Sequence, residues 1–181
     1  MNNELLQKAI SCLAINDVYL RETHATLNKD FDPKIANQSL DTHLRFAAER
    51  VEGIDAEQIT VASSDKQTVK LARIHLGAGL RFVSGGFSEE TQNNPEEIVK
   101  HIKAEISATF IAEYRITCSD LGFDAIEEFA KQNAGYHVWP YWREYVQSVC
   151  SRMQLPQVVM PMFRLPTSKK ITAEESGAET K

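Results

Sequence analysis

The chain has 181 residues, 43% of them hydrophobic and 25% charged, and a formal net charge of −5. That length buries a full core without help from disulfides or metals, and the composition is that of a globular protein rather than a disordered one. The acidic balance speaks against nucleic acid as the main partner, because phosphate binding rests on clustered Lys and Arg, and no apolar run approaches the roughly 20 residues of a membrane helix.

The first residues, Met1 to Cys12, set Glu4 and Lys8 among apolar neighbours and lack the basic segment and long apolar run of a signal peptide. The expected location is therefore the cytoplasm. Ile15 to Leu27 alternates, with Val18 and Leu20 on one face and Asp17, Tyr19 and Arg21 on the other. Leu40, Thr42, Leu44, Phe46 and Ala48 face one way, and Asp41, His43, Arg45 and Glu49 the other. Both read as half-buried strands. Val69 to Val83 is a third strand whose apolar phase slips midway, so a bulge is expected near Ala72. Ile106 to Cys118 is the fourth, with Phe110, Ala112, Tyr114 and Ile116 on one face and Ile111, Glu113 and Arg115 on the other.

Between the third and fourth strands lies a polar stretch, 84–103. Asn94-Pro95-Glu96-Glu97 reads as a helix start, and Ile98 and Ile102 give that short helix a narrow apolar stripe. After the sheet, Asp124 with Glu127 has the form of a capping box. Ile126, Phe129 and Ala130 supply a buried face, and Gly135 reads as a terminator. A helix over about Val138–Gln154 carries Trp139, Trp142, Val146, Val149 and Met153, a seam suited to another helix. Pro156, Pro161 and Pro166 hold the next segment extended, and from Thr167 onward the sequence reads as a disordered tail. Strands first and helices last predict an α+β fold, a four-stranded antiparallel sheet packed against helices.

Few residues carry chemistry. His24, His43, His75, His101 and His137 are scattered without metal-ligand spacing, and no cofactor motif occurs. Gly77-Ala78-Gly79 and Gly85-Gly86 open no phosphate loop. Cys12, Cys118 and Cys150 form no CxxC pair and are expected as small reduced thiols. A Cys150–His137 nucleophile pair has no local support. Asp17 and Glu113 read as exposed strand carboxylates, and Arg73 with His75 is the one suggestive set for a small enzyme or ligand pocket. Instead, Trp139, Tyr141, Trp142 and Tyr145 crowd one helix, and Met160, Met162 and Phe163 follow on extended chain. Two readings stand: all fill one core, or the surplus packs at a subunit interface or lines a groove.

These residues carry a resemblance. Lys29-Asp30-Phe31-Asp32-Pro33, Leu40-Asp41-Thr42 and Phe110-Ile111-Ala112-Glu113 resemble segments of the SecB-like chaperones. So do Trp139-Pro140-Tyr141-Trp142-Arg143-Glu144, Ser151-Arg152 and Pro156-Gln157, all in order and spacing. That family includes the bacterial export chaperone SecB and the chaperones of toxin–antitoxin systems, some of which act in phage defence. The resemblance covers about residues 15–163. It implies one domain over 1–166, interrupted at 84–103 and followed by the tail 167–181. It also implies a homotetramer built as a dimer of dimers, holding non-native polypeptide without ATP, catalysis, cofactor or metal. By position, Phe31, Trp139, Trp142, Met160, Met162 and Phe163 would bind the client, with Trp139 and Trp142 open to an interface role instead. Asp17, Ile111 and Glu113 fall where exporting members dock the motor SecA. Arg21 stands where those members have an acid, the 84–103 stretch breaks the hairpin, and the tail lacks an apolar helix. These departures favour a dedicated client such as an antitoxin over a preprotein bound for SecA.

Overall fold

The period-two segments pair as the alternation requires. In the computed structural model, which describes residues 2–35, 39–59, 66–85 and 94–163, they are β1 (Leu13–Leu27), β2 (Leu40–Ile59), β3 (Lys66–Ser84) and β4 (Ile102–Ile116). They form one four-stranded antiparallel sheet in the order β1-β4-β3-β2. Among the described residues the helices are α1 (Asn3–Cys12), α2 (Pro95–Lys100), α3 (Phe123–Gln132) and α4 (Ala134–Arg152). The predicted tail, 167–181, lies outside the described residues.

One face of the sheet is the floor of the core. Ile74, Leu76, Leu80 and Phe82 of β3 and Ile106, Phe110 and Tyr114 of β4 are each at most 3% exposed. α4 lies across them and buries Val138, Trp142, Val146 and Cys150, a stripe at intervals of four that turns one helical face to a flat partner. The expected helix–helix seam is thus a helix–sheet contact within one chain. α1 packs against α3. Its sequence signal is Asn2, whose side chain accepts from the Leu5 amide as N-cap, ahead of Leu5, Leu6, Ala9 and Cys12 on the packed side.

Several local expectations are corrected. β3 runs in unbroken register past Ala72. Val69 and Leu71 belong to the opposite face, so no bulge is needed to explain them. The slip is in β2, between Ala48 and Arg50. Looping out Glu49 reverses the parity, so Val51 and Gly53 face the core side and the strand continues to Ile59. Ile102 starts β4 rather than completing the stripe of α2. Gly122 is the N-cap of α3 with no side-chain cap bond, and Asp124 lies inside the first turn, so the capping box does not form. Gly135 is the second residue of α4 and terminates nothing.

Cys12 and Cys118 are joined by a disulfide, with Cα atoms 5.4 Å apart across 106 residues of sequence. They were expected as free thiols. The cause is pairing: β1 and β4 are neighbours, Leu13 faces Ile116, and the Thr117 amide donates to the Cys12 carbonyl at 2.9 Å. No linear spacing reveals that adjacency. Cys150 is the free, buried cysteine. Among the described residues no helix is long and apolar enough to cross a membrane.

Candidate functional site

A turn at the end of α4 sets the geometry. Gln154 adopts a left-handed backbone, φ 57°. Its amide donates to the Ser151 carbonyl and the Leu155 amide to the Cys150 carbonyl, at 3.4 and 2.9 Å. These are the two bonds of a Schellman motif, and Leu155, 5% exposed, supplies its apolar contact. The chain reverses, and residues 156–163 run back along α4 as an extended strap. Met160 is 3% exposed and Val159 92%, the alternation of a strand laid on a surface. Trp139 Nε1 donates to the Pro161 carbonyl at 2.9 Å and ties the strap to the helix.

Where the strap meets the start of α4, three rings converge. Phe46 of β2 meets the Trp139 ring edge-on at 5.1 Å and Phe163 at 5.9 Å, and Trp139 and Phe163 lie 5.6 Å apart. Gly135 makes this close approach available. A Cβ there would stand 2.7 Å from Phe163 Cζ and 3.0 Å from Phe46 Cε1. Beside the rings opens a groove of about 610 Å³ lined by Tyr136, His137, Trp139, Pro140, Arg143, Glu144, Gln147, Met162 and Phe163. Its surface is mixed: rings, a thioether and a proline, with an arginine, a carboxylate and an amide among them. Pro140 has no N–H, so the Tyr136 carbonyl on the same wall lacks its helical donor.

His137, on the groove wall, is tied to the core through a tyrosine. Burial raises the Tyr114 phenol well above its ordinary value, and its hydroxyl shares a hydrogen bond of 2.9 Å with His137 Nδ1. Burial also lowers the imidazole below 6.5 and favours its neutral form.

Of the six residues expected to bind a client, Trp139, Met162 and Phe163 line this one groove. Met162 is 79% exposed; Trp139, at 7%, shows only an edge. Phe31 and Met160, at 8% and 3%, belong to the core cluster. Trp142 is fully buried, stacked on Tyr145 and edge-on to Phe110. It presents no surface to a client or to a second subunit, which corrects both roles expected of it. Among the described residues its Nε1 has no hydrogen-bond partner. Phe46 and Gly135 escaped sequence reading as site residues. Phe46 carried a signal, an aromatic in the inward phase of β2, but nothing in the sequence tells that β2 is an edge strand.

The residues expected to dock a motor lie on the opposite face of the sheet. Asp17 is exposed, but Ile111 is 1% exposed and Glu113 7%, against the expectation of an open patch. Glu113 accepts from Arg73 Nε at 2.6 Å and from Asn16 Nδ2 at 2.7 Å, the latter from a bulge in β1. His75, 5% exposed, is lowered below 6.5 first by burial and then by Arg50, Arg21 and Arg73. Its Nε2 accepts a long bond, 3.4 Å, from Arg50. Arg73 and His75 thus satisfy neighbours rather than converge on a pocket. Cys150 and His137 are 13 positions apart on α4, roughly 20 Å at the helical rise, and burial pushes the Cys150 thiol up; they form no nucleophile pair. Among the described residues, no three His, Cys, Asp or Glu side chains are grouped to hold a metal ion.

No protein-family model and no curated protein matches the chain. Among solved structures it is similar to the Mycobacterium tuberculosis SecB-like chaperone Rv1957, in complex with a ChAD peptide from the HigA1 antitoxin Rv1956. The TM-score is 0.63 at 17% identity, over 91% of this chain and 100% of that one. A Streptococcus agalactiae protein of unknown function also aligns, at TM-score 0.31 and 9% identity over 83% of this chain and 97% of that one. The four antiparallel strands and the helices laid over one face give this chain the SecB-like fold.

Proposed function

We propose that the protein is an ATP-independent chaperone that holds extended, non-native polypeptide along α4, with an antitoxin of a toxin–antitoxin–chaperone module as its dedicated client. The observation that carries this reading is the groove of about 610 Å³ walled by Trp139, Pro140, Met162 and Phe163. Rings and thioethers left partly open at a groove suit varied apolar side chains of an unfolded segment. Each such side chain, once covered, contributes about 1.5–3 kcal/mol. Such a surface binds the unfolded chain in preference to the folded one, and this selectivity holds a client without nucleotide. The structural neighbour was solved with an antitoxin peptide bound, which favours a polypeptide client.

Delivery to SecA is the weaker reading. Ile111 is covered and Glu113 is engaged by Arg73 and Asn16, which leaves Asp17 alone exposed in that set. An enzyme is weaker still, since Arg73, His75 and Cys150 are all occupied or sealed. Assembly into a homotetramer is part of the proposal: β1 and β2 are the outer strands of the sheet, and edge strands invite pairing with another copy.

The test is aggregation of a chemically unfolded globular protein on dilution, with the purified chain added and ATP absent. Holding predicts suppressed light scattering at near-stoichiometric ratios, and light scattering coupled to size exclusion should give a mass four times that of the monomer. Scattering unchanged by excess chain would end the chaperone reading.

A further inference from the structure

We propose that the notch over Gly135 is a seat for one aromatic side chain of the client, and that Phe163 fills it in the free protein as a built-in stand-in. This deepens the chaperone reading and rests on it.

The seat is made by an absence. Gly135 leaves room where a methyl group would meet the Phe163 ring at 2.7 Å and the Phe46 ring at 3.0 Å. Phe46 and Trp139 touch edge-on at 87°, and a third ring set beside them contacts both, edge-on to Phe46 and tilted to Trp139. Phe163 takes that place now. It remains only half-buried, and its neighbour Met162 is 79% exposed. The seat is filled but not sealed.

The occupant has the form of a client. The strap is extended and packs Val158, Met160 and Phe163 against the core, with Val159, Pro161 and Met162 outward. Its backbone tie at this end is the bond from Trp139 Nε1 to the Pro161 carbonyl. The ring and the accepting carbonyl are therefore two residues apart on one chain. A client segment that replaces the strap needs the same two features: a Phe, Tyr or Trp side chain for the notch, and the carbonyl two residues earlier for Trp139 Nε1. The second requirement follows from burial. Trp139 is 7% exposed, and a buried indole N–H left without an acceptor is costly. The client class is thus an unfolded segment with an aromatic anchor, bound in the direction of the strap, antiparallel to α4.

The experiment titrates full-length wild type, Phe163→Ala and Gly135→Ala with a fluorescein-labelled peptide copying residues 156–163, read by fluorescence polarisation. A control peptide has its phenylalanine replaced by alanine. A reduced and alkylated globular protein serves as unfolded client in parallel, and thermal melts report folding. Vacating the seat should tighten binding of the first peptide to Phe163→Ala about tenfold over wild type, because the competing ring is gone. The control peptide should gain nothing, and Gly135→Ala, with its notch filled, should bind neither. Equal or weaker binding of the first peptide to Phe163→Ala makes Phe163 a fixed wall and overturns the inference. So does a Phe163→Ala protein that associates beyond the wild-type assembly in place of binding peptide, which would give the seat to a second copy. Should Gly135→Ala fail to fold, the Phe163→Ala and control-peptide comparison decides alone. An unfolded protein held equally by all three variants removes the seat and leaves the chaperone reading standing. Peptide bound as expected with no unfolded protein held does the reverse.

Discussion

Single side chains here act through what they leave empty or keep neutral. His75 and His137 are both lowered below 6.5, in each case first by burial. For His75, Arg50, Arg21 and Arg73 add to the effect and Glu49 opposes it. His137 instead faces the Tyr114 hydroxyl and stacks on Phe129. The fold prefers both rings uncharged. Above 6.5 folded and unfolded chains are both neutral and stability is full. As the pH falls through 6.5 the unfolded chain takes up protons first, so stability drops until the folded rings titrate. The urea midpoint should therefore fall between about pH 7 and about pH 5, and a His75→Gln, His137→Gln double variant should flatten that slope. A slope unchanged in the double variant would assign the dependence to other groups.

At the scale of elements, the Schellman turn decides where the strap runs. Gln154 holds a left-handed backbone that glycine adopts freely and other residues adopt at a cost. Gln154→Gly should raise stability by about 1 kcal/mol, a few degrees in Tm, and leave client binding unchanged. A loss of stability would mean that the Gln154 side chain, which donates to the Ser151 carbonyl at 3.2 Å, contributes more than the backbone costs. How far such elements were legible follows from periodicity. The inward phase of β2, from Leu40 to Ala48, was readable because each residue keeps the alternation. Reading stopped at Glu49 because one looped-out residue reverses parity, and Val51 beyond it looks like an error rather than a continuation. The aromatic helix was readable too, but its floor was not. A sequence tells that Trp142 wants burial and is silent on whether a sheet, a helix or another subunit covers it. Gly135 was legible as a glycine and illegible as a notch, since Phe46 and Phe163 reach it from 89 residues before and 28 after.

For the molecule as a whole, the disulfide is the feature no pattern announced. A bridge across 106 residues removes much of the freedom of the unfolded chain, and a disulfide is typically worth about 2–4 kcal/mol. Reduction, or Cys118→Ala, should lower the unfolding free energy by that amount in urea melts, while Cys150→Ser in the oxidised chain should leave the reduction effect intact. An oxidised protein and a reduced one that melt together would make the bridge dispensable. The same bond also divides the chain. Cys12 and Cys118 close all four strands into one covalent ring, and α1 leaves that ring at the same point from which the chain runs on to α3, α4 and the strap. The groove therefore hangs outside a macrocycle that contains the sheet. The sheet is thus closed by a covalent bond, while the helical arm is held to it by the packing of Val138, Trp142, Val146 and Cys150 and by the continuous chain beyond Cys118.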